Sequence, residues 1–203
     1  MDITFLGTGT STGVPAIGCR CPVCRSDNPH NKRRRVSLYV RCGGCHLIID
    51  TPPDFRDQAL TFGVTRVDAV LVTHAHADHI FGFDDIRRFN ELQGAAIPVY
   101  GGPETVAAMQ RFFPYVNRPA APGLSYPRAE FRPATAPFAV GPFRVEPLPV
   151  EHAGIETCGY RIEADGRTLG YVPDCHGFGE RTAERLQGLD CLILDGLRHR
   201  PHP

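Results

Sequence analysis

The sequence predicts an α/β fold in which short buried strands deliver metal-ligand residues to one cavity. Three observations carry that reading. Short apolar runs recur along the chain and alternate with segments of helical pattern, such as Ile86 to Gln93. His and Asp residues stand just after these runs rather than inside them. The densest group, Thr73-His74-Ala75-His76-Ala77-Asp78-His79, directly follows the apolar run Val67 to Val72 and precedes a helix-like segment.

In that group His74 and His76 are two apart, so an extended backbone points both to one side. Asp78 and His79 come after the bend and face a second point nearby. Imidazole and carboxylate are ligands for borderline metals such as Zn²⁺, Mn²⁺ or Fe²⁺, and the arrangement suits two ions in one pocket. A surface loop that is merely rich in His would not interleave its ligand-type residues so regularly with alanine.

The elements follow in order. Ile3 to Leu6 reads as an opening strand that runs into Gly7-Thr8-Gly9-Thr10-Ser11-Thr12-Gly13, a tight turn whose backbone N–H groups could hold an anion. Cys19, Cys21 and Cys24 lie in a Gly- and Pro-containing loop and can wrap one tetrahedral Zn²⁺, with a fourth ligand from elsewhere. The alternatives are small buried residues or a redox loop. Asn31-Lys32-Arg33-Arg34-Arg35 reads as a solvated loop with at most a phosphate contact. Val36 to Val40 and Leu47 to Ile49 form a hairpin about Gly43-Gly44, which sets Cys42 opposite Cys45 as incidental small residues.

Asp50 ends a strand and is expected to orient the metal ligands, whereas Asp54 is expected to cap the following helix. Ile97 to Tyr100 reads as a strand and Pro103 to Phe113 as a helix. Prolines recur so often from Pro114 that no regular element is expected before Phe143, and residues 114–142 read as an irregular cover over the site. Val145 to Val150, Leu169 to Val172 and Leu192 to Leu194 are strands leading to His152, Asp174 and Asp195. His152 completes a first ion with His74 and His76, and Asp174 can bridge both ions. Cys158, Cys175 and Cys191 are expected to pack, and His176 to lie in a loop.

The 203 residues carry zero formal net charge, which argues against a nucleic-acid partner or an acidic membrane surface. Lys32 is the only lysine. No apolar stretch approaches a membrane span, and Met1 to Phe5 lacks a basic leader, so a cytoplasmic location is expected. In a reducing compartment the eight cysteines favour metal over disulfides.

The run His74 to His79, with Asp50 before it and His152 and Asp174 after it, resembles the metallo-β-lactamase fold superfamily. Phe5-Leu6-Gly7-Thr8-Gly9-Thr10-Ser11-Thr12-Gly13-Val14-Pro15, followed by Cys19, Cys21 and Cys24, is similar to its PhnP-like phosphodiesterase branch, which acts on cyclic ribose phosphates. The resemblance covers essentially the whole chain. It implies a single αβ/βα four-layer sandwich over residues 1–203, with a zinc loop at 18–25. It implies one ion on His74, His76 and His152, a second on Asp78 and His79, and Asp174 bridging them, with Asp78 and Asp174 as the catalytic carboxylates. Cys19, Cys21 and Cys24 would bind a separate structural zinc. Family members continue past Pro203 with a further strand, a helix and three histidines: one for the second ion, one for the cysteine zinc, one as general acid. His199 and His202 do not match those motifs, so the resemblance reads the chain as C-terminally truncated.

The expected chemistry is hydrolysis of a small cyclic phosphodiester by a metal-bridging hydroxide, with two Zn or Mn ions ~3.5–4 Å apart. Dimerisation is expected by family analogy alone. The alternatives are another hydrolase on this fold (thioesterase, lactamase or RNA-processing nuclease), a non-hydrolytic protein of quinone-cofactor biosynthesis, and a non-catalytic zinc-binding remnant.

Overall fold

The computed structural model describes residues 1–119 and 123–197. Among the described residues eleven strands fall into two sheets. The first comprises β1 (Asp2–Gly7), β2 (Ser37–Cys42), β3 (Cys45–Ile49), β4 (Ala69–Leu71), β5 (Ile97–Gly101) and β6 (Ala129–Pro133). The second comprises β7 (Phe138–Val140), β8 (Phe143–His152), β9 (Ile155–Ala164), β10 (Arg167–Val172) and β11 (Cys191–Leu194). In both sheets the spatial order is the chain order.

Side-chain alternation on the first sheet builds two cores at once. Leu38, Val40, Leu47, Ile49 and Leu71 face the second sheet, where they meet Phe143, Val145, Tyr160, Ile162 and Leu169. Tyr39, Ile48, Val70, Val72 and Val99 face the other way, onto helices. Those helices are α1 (Phe55–Thr61), α2 (Ala77–Ile80), α3 (Ile86–Gln93) and α4 (Pro103–Phe112). On the outer face of the second sheet, α5 (Glu180–Arg185) leads to Leu186 and Leu189, which pack over Gly170 beside Leu192. The layers run helix, sheet, sheet, helix, which is the αβ/βα sandwich expected from the sequence. Among the described residues no helix is long and apolar enough to cross a membrane.

The hairpin at Gly43-Gly44 forms as expected, with Cys42 paired to Cys45 and both glycines at positive φ. Several expectations require correction. The proline-rich stretch is not uniformly irregular, because β6 and β7 lie within it as the edge strands of the two sheets. Edge positions tolerate proline because one side of the strand needs no donor. The same reason admits Pro147 and Pro149 inside β8. β7 pairs only as far as Val145, and Glu151, two and four residues on, turns its backbone outward to Gly177.

β9 was not foreseen. It lies between β8 and β10; its first half buries four consecutive residues, Thr157 to Tyr160, whereas Tyr160, Ile162 and Ala164 alternate with the half-buried Arg161 and Glu163. A Cβ on its Gly159 would lie 2.7 Å from the Tyr171 carbonyl oxygen, so the close approach of β10 requires glycine there. α5 was also unforeseen. Asp54 occupies the position before α1 but makes no capping bond. Its carboxylate instead accepts from the Arg35 backbone N–H (2.8 Å) and guanidinium (2.9 Å), which draws it off the helix end.

Candidate metal centre

The site is built outward from Asp50. This residue closes β3 with φ 63°, a left-handed conformation that Asp adopts more readily than most residues. Its backbone N–H still donates to Leu71 O, and Ser37 Oγ donates to its carbonyl. The fully buried carboxylate accepts three bonds of 2.8 Å, from the Thr73 N–H, from Thr73 Oγ1 and from His79 Nδ1.

Those bonds fix the tautomers of two histidines. Thr73 Oγ1 spends its proton on Asp50, so the His74 Nδ1 found 3.0 Å away must donate to it. His74 Nε2 is then left with a lone pair. His79 donates through Nδ1 to Asp50, which leaves its Nε2 to face the cavity. A carboxylate or hydroxyl behind one ring nitrogen is the usual device for holding the other against a metal.

Around these two nitrogens the remaining ligands gather. His76 Nδ1 lies 3.0 Å from His74 Nε2 and 3.3 Å from His152 Nε2. His74, His76 and His152 thus form one group whose ligand atoms lie within 4.8 Å of one another. His74, His79 and Asp174 form a second such group. Asp174 Oδ2 stands 2.6 Å from His79 Nε2 and 4.0 Å from His74 Nε2, and Asp78 Oδ2 stands 3.6 Å from His79 Nε2. The predicted ligands His74, His76, His152, His79 and Asp174 are thus brought together, whereas Asp78 belongs to neither group and approaches His79 alone. Asp174 belongs to the second group, and His74 is the residue the two groups share.

The donor set fits divalent cations. His79 Nε2 is buried and, despite its closeness to Asp174, makes no aligned hydrogen bond. Burial pushes the His79 pKa down, but the Asp50 and Asp174 carboxylates overcome this and raise it to about 10. Burial and the neighbouring imidazoles of His79, His76 and His152 push His74 far below its usual range, which keeps it neutral. A proton thus sits on His79 at the point where a cation would replace it.

The three cysteines of the zinc loop also converge, with their sulfurs within 4.8 Å of one another. Cys21 Sγ accepts from the Cys24 N–H at 3.4 Å and Cys24 Sγ from the Ala16 N–H at 3.5 Å. The Cys24 N–H, together with the neighbouring thiols, lowers the Cys21 pKa. Such N–H···S bonds suit thiolates bound to zinc. Cys158 is buried behind the site, with Sγ 3.6 Å from Thr73 O, and His176 is exposed in a loop as expected. Cys191 is exposed rather than packed. His199 and His202 lie outside the described residues.

Two supporting residues escaped the sequence reading. Thr73 was visible but carried no signal of its own, because a hydroxyl after a strand has many uses. Tyr160 Oη donates to Val72 O at 2.7 Å and pins the strand end that carries His74. It lies on the unforeseen β9.

The model of the beta-lactamase superfamily domain matches residues 46–203, the portion that carries all of these His and Asp residues. The chain belongs to this superfamily. A crystal structure of a diphosphatase from the PhnP family covers 99% of the chain and is itself covered over 75%, with a TM-score of 0.87 and 38% identity. That likeness extends the superfamily assignment to the PhnP-like branch. The Zn²⁺-bound PqqB from Methylobacterium extorquens covers 97% of the chain, is covered over 73% and is 25% identical, with a TM-score of 0.74. An octanoyltransferase of Porphyromonas gingivalis is 37% identical over the whole chain, which spans 41% of that protein's length. Proteins of this superfamily are mostly hydrolases, and its fold implies divalent metal.

Proposed function

We propose that the protein is a dinuclear-metal phosphodiesterase acting on small, cyclic ribose phosphate-type diesters. The observation that carries this reading is the pair of ligand groups, His74, His76 and His152 and His74, His79 and Asp174, that share His74. In this reading His74, His76 and His152 hold one ion, Asp78 and His79 the other, and Asp174 bridges. Zn²⁺ or Mn²⁺ suits these ligands, and Cys19, Cys21 and Cys24 hold a separate structural zinc. The likeness to a PhnP-family diphosphatase supports phosphate-ester chemistry.

Two bound ions would supply a nucleophile at neutral pH and stabilise charge on the phosphoryl group. The chain's own residues do the rest. Asp50 and Thr73 hold His79 and His74 in the tautomers that present Nε2. The Asp174 carboxylate, about a quarter exposed, stands 2.6 Å from His79 Nε2, where it would share an ion with that ring. Neutral net charge fits a small diester better than a polynucleotide. We further propose a single domain, a cytoplasmic location and a homodimer.

The test is hydrolysis of bis(p-nitrophenyl) phosphate by the metal-loaded protein and by His76→Ala. Turnover by the parent, abolished in a folded His76→Ala variant, is the expected result. Undiminished turnover in the variant would sink the proposal. The likeness to PqqB favours one other reading, metal binding without hydrolysis. Stoichiometric metal uptake with no turnover of any diester would select it.

A further inference from the structure

We propose that a cleft at the outer edge of β1 is a second binding site, separate from the metal centre, for a small amphiphilic anion: an apolar or aromatic body bearing a phosphate. The cleft measures about 540 Å³, a size typical of small-molecule sites. Two sequence features that the metal centre does not use meet there. One wall is the start of the glycine loop, Gly7 and Thr8; the other is the basic segment with His30, Lys32, Arg33 and Arg34.

The charge in the cleft is one-sided, since no carboxylate lines it. Arg34 is neutralised by Asp57 and also donates to Thr61 Oγ1. Lys32 and Arg33 are exposed, and among the described residues neither forms an ion pair. Arg33 Nε donates to the His30 carbonyl at 3.1 Å, which fixes the guanidinium while leaving its charge uncompensated. In a chain of zero net charge, two uncompensated cations side by side in a concavity are a local feature and not a general basic surface.

The apolar side of the cleft is equally specific. Phe5 is 47% exposed and Phe62 42% exposed, and both line it. A phosphate on Arg33 and Lys32 would therefore leave its organic body against two aromatic rings. The walls are also held in place. A Cβ on Gly7 would lie 2.0 Å from Arg35 O, so the glycine loop is seated directly on the basic segment's backbone. Gly9 N–H donates to Arg34 O, and Val14 and Arg33 exchange both backbone bonds. Two free cations are too few to track a nucleic-acid backbone, so the chemistry selects a small ligand.

The experiment is calorimetric titration of phenyl phosphate into the metal-loaded protein, into Lys32→Ala/Arg33→Ala and into His76→Ala, in phosphate-free buffer. The backbone bonds of residue 33 survive truncation, and a thermal melt checks the fold. Lys32→Glu, at an exposed position, serves if the double variant is unstable. We expect saturable 1:1 binding that weakens at least tenfold in the double variant and is unchanged in His76→Ala. Inorganic phosphate should bind at least tenfold more weakly than phenyl phosphate. Absence of saturable binding, or equal binding in the double variant, overturns the proposal. Loss of binding in His76→Ala alone moves the ligand to the metal centre and overturns it as well. Inorganic phosphate binding as tightly as phenyl phosphate refutes the aromatic contribution, and with it the ligand class. None of these outcomes depends on which ester the metal centre hydrolyses.

Discussion

Replacing Asp50 with Asn leaves shape and volume almost unchanged but removes one charge and reverses one hydrogen bond. The raised pKa of His79, about 10 against the ordinary 6.5, corresponds to about 5 kcal/mol of favourable interaction with the protonated ring. Asp50 and Asp174 share it, and Asp50 also accepts the buried 2.8 Å bonds, so its share is set at about 3 kcal/mol. In the metal-free protein Asp50→Asn should therefore lower stability by about 3 kcal/mol at pH 6.5. The deficit should shrink towards pH 10, where the parent loses the same proton. Metal binding should suffer separately. If the Asn amide faces His79 Nδ1, the ring must accept there and carry its proton on Nε2, the nitrogen meant for the ion. A loss of about 10–100-fold in metal affinity follows. Urea unfolding of chelated protein at pH 6.5 and 9.5, with metal titration of both proteins, makes the test. Equal stability at pH 6.5 and metal affinity within twofold would refute the assignment of Asp50 as the residue that holds His79.

The same two histidines shape the pH dependence of the metal-free parent. Folded His74 stays neutral while the unfolded chain takes up its proton below about pH 6.5, so stability falls on the acid side. Folded His79 keeps a proton up to about pH 10 that the unfolded chain loses above 6.5, so stability also falls on the alkaline side. Unfolding free energies from urea titrations between pH 5 and 9 should peak near pH 6.5, each arm falling by about 1.4 kcal/mol per pH unit. A curve flat from 6.5 to 9 would exclude the protonated His79. Glu156→Ala should cost about 1–2 kcal/mol, because its Oε2 accepts the Glu104 and Thr105 N–H groups at the start of α4; a thermal melt unchanged from the parent would count against this cap. Gly82→Ala would set a Cβ 2.0 Å from Pro52 O and 2.8 Å from Phe55 Cβ. It should destabilise by about 1–3 kcal/mol and displace the turn behind Asp78 and His79, weakening metal binding; wild-type affinity in that variant would show that the turn adapts.

The metal ligands were legible because their chemistry is local. His74 to His79 announce themselves by type and spacing, and His152 and Asp174 by their places at strand ends. What the sequence hid was mostly relational. Asp50 could be placed near the ligands, but not its left-handed turn or its bond to His79, which depend on a strand pairing with β4. Thr73 decides a tautomer only because Asp50 faces it. β9 is legible only in part: Tyr160, Ile162 and Ala164 alternate with Arg161 and Glu163, but Thr157 to Tyr160 are buried together and interrupt the period. β6 and β7 are hidden by the prolines in and around them, which are compatible with strands only at sheet edges, and edge position is set by the tertiary fold. Asp54 reads as a cap until Arg35, brought in from the segment before β2, claims its carboxylate.

Chain-order winding of the two sheets has a mechanical consequence. Each sheet is closed by contacts between successive strands, so neither requires the other to complete its ladder. The cavity does require both, since His76 comes from the first half and its neighbour His152, 76 residues later, from the second. An ion gripped by both would act as a cross-link across that interval, clamping the two sheets at one rim. Stability should then rise with free metal concentration, by about 4 kcal/mol at a thousandfold excess over Kd. A chelator would unfasten the rim first and leave the apolar seam between the sheets to hold the halves together.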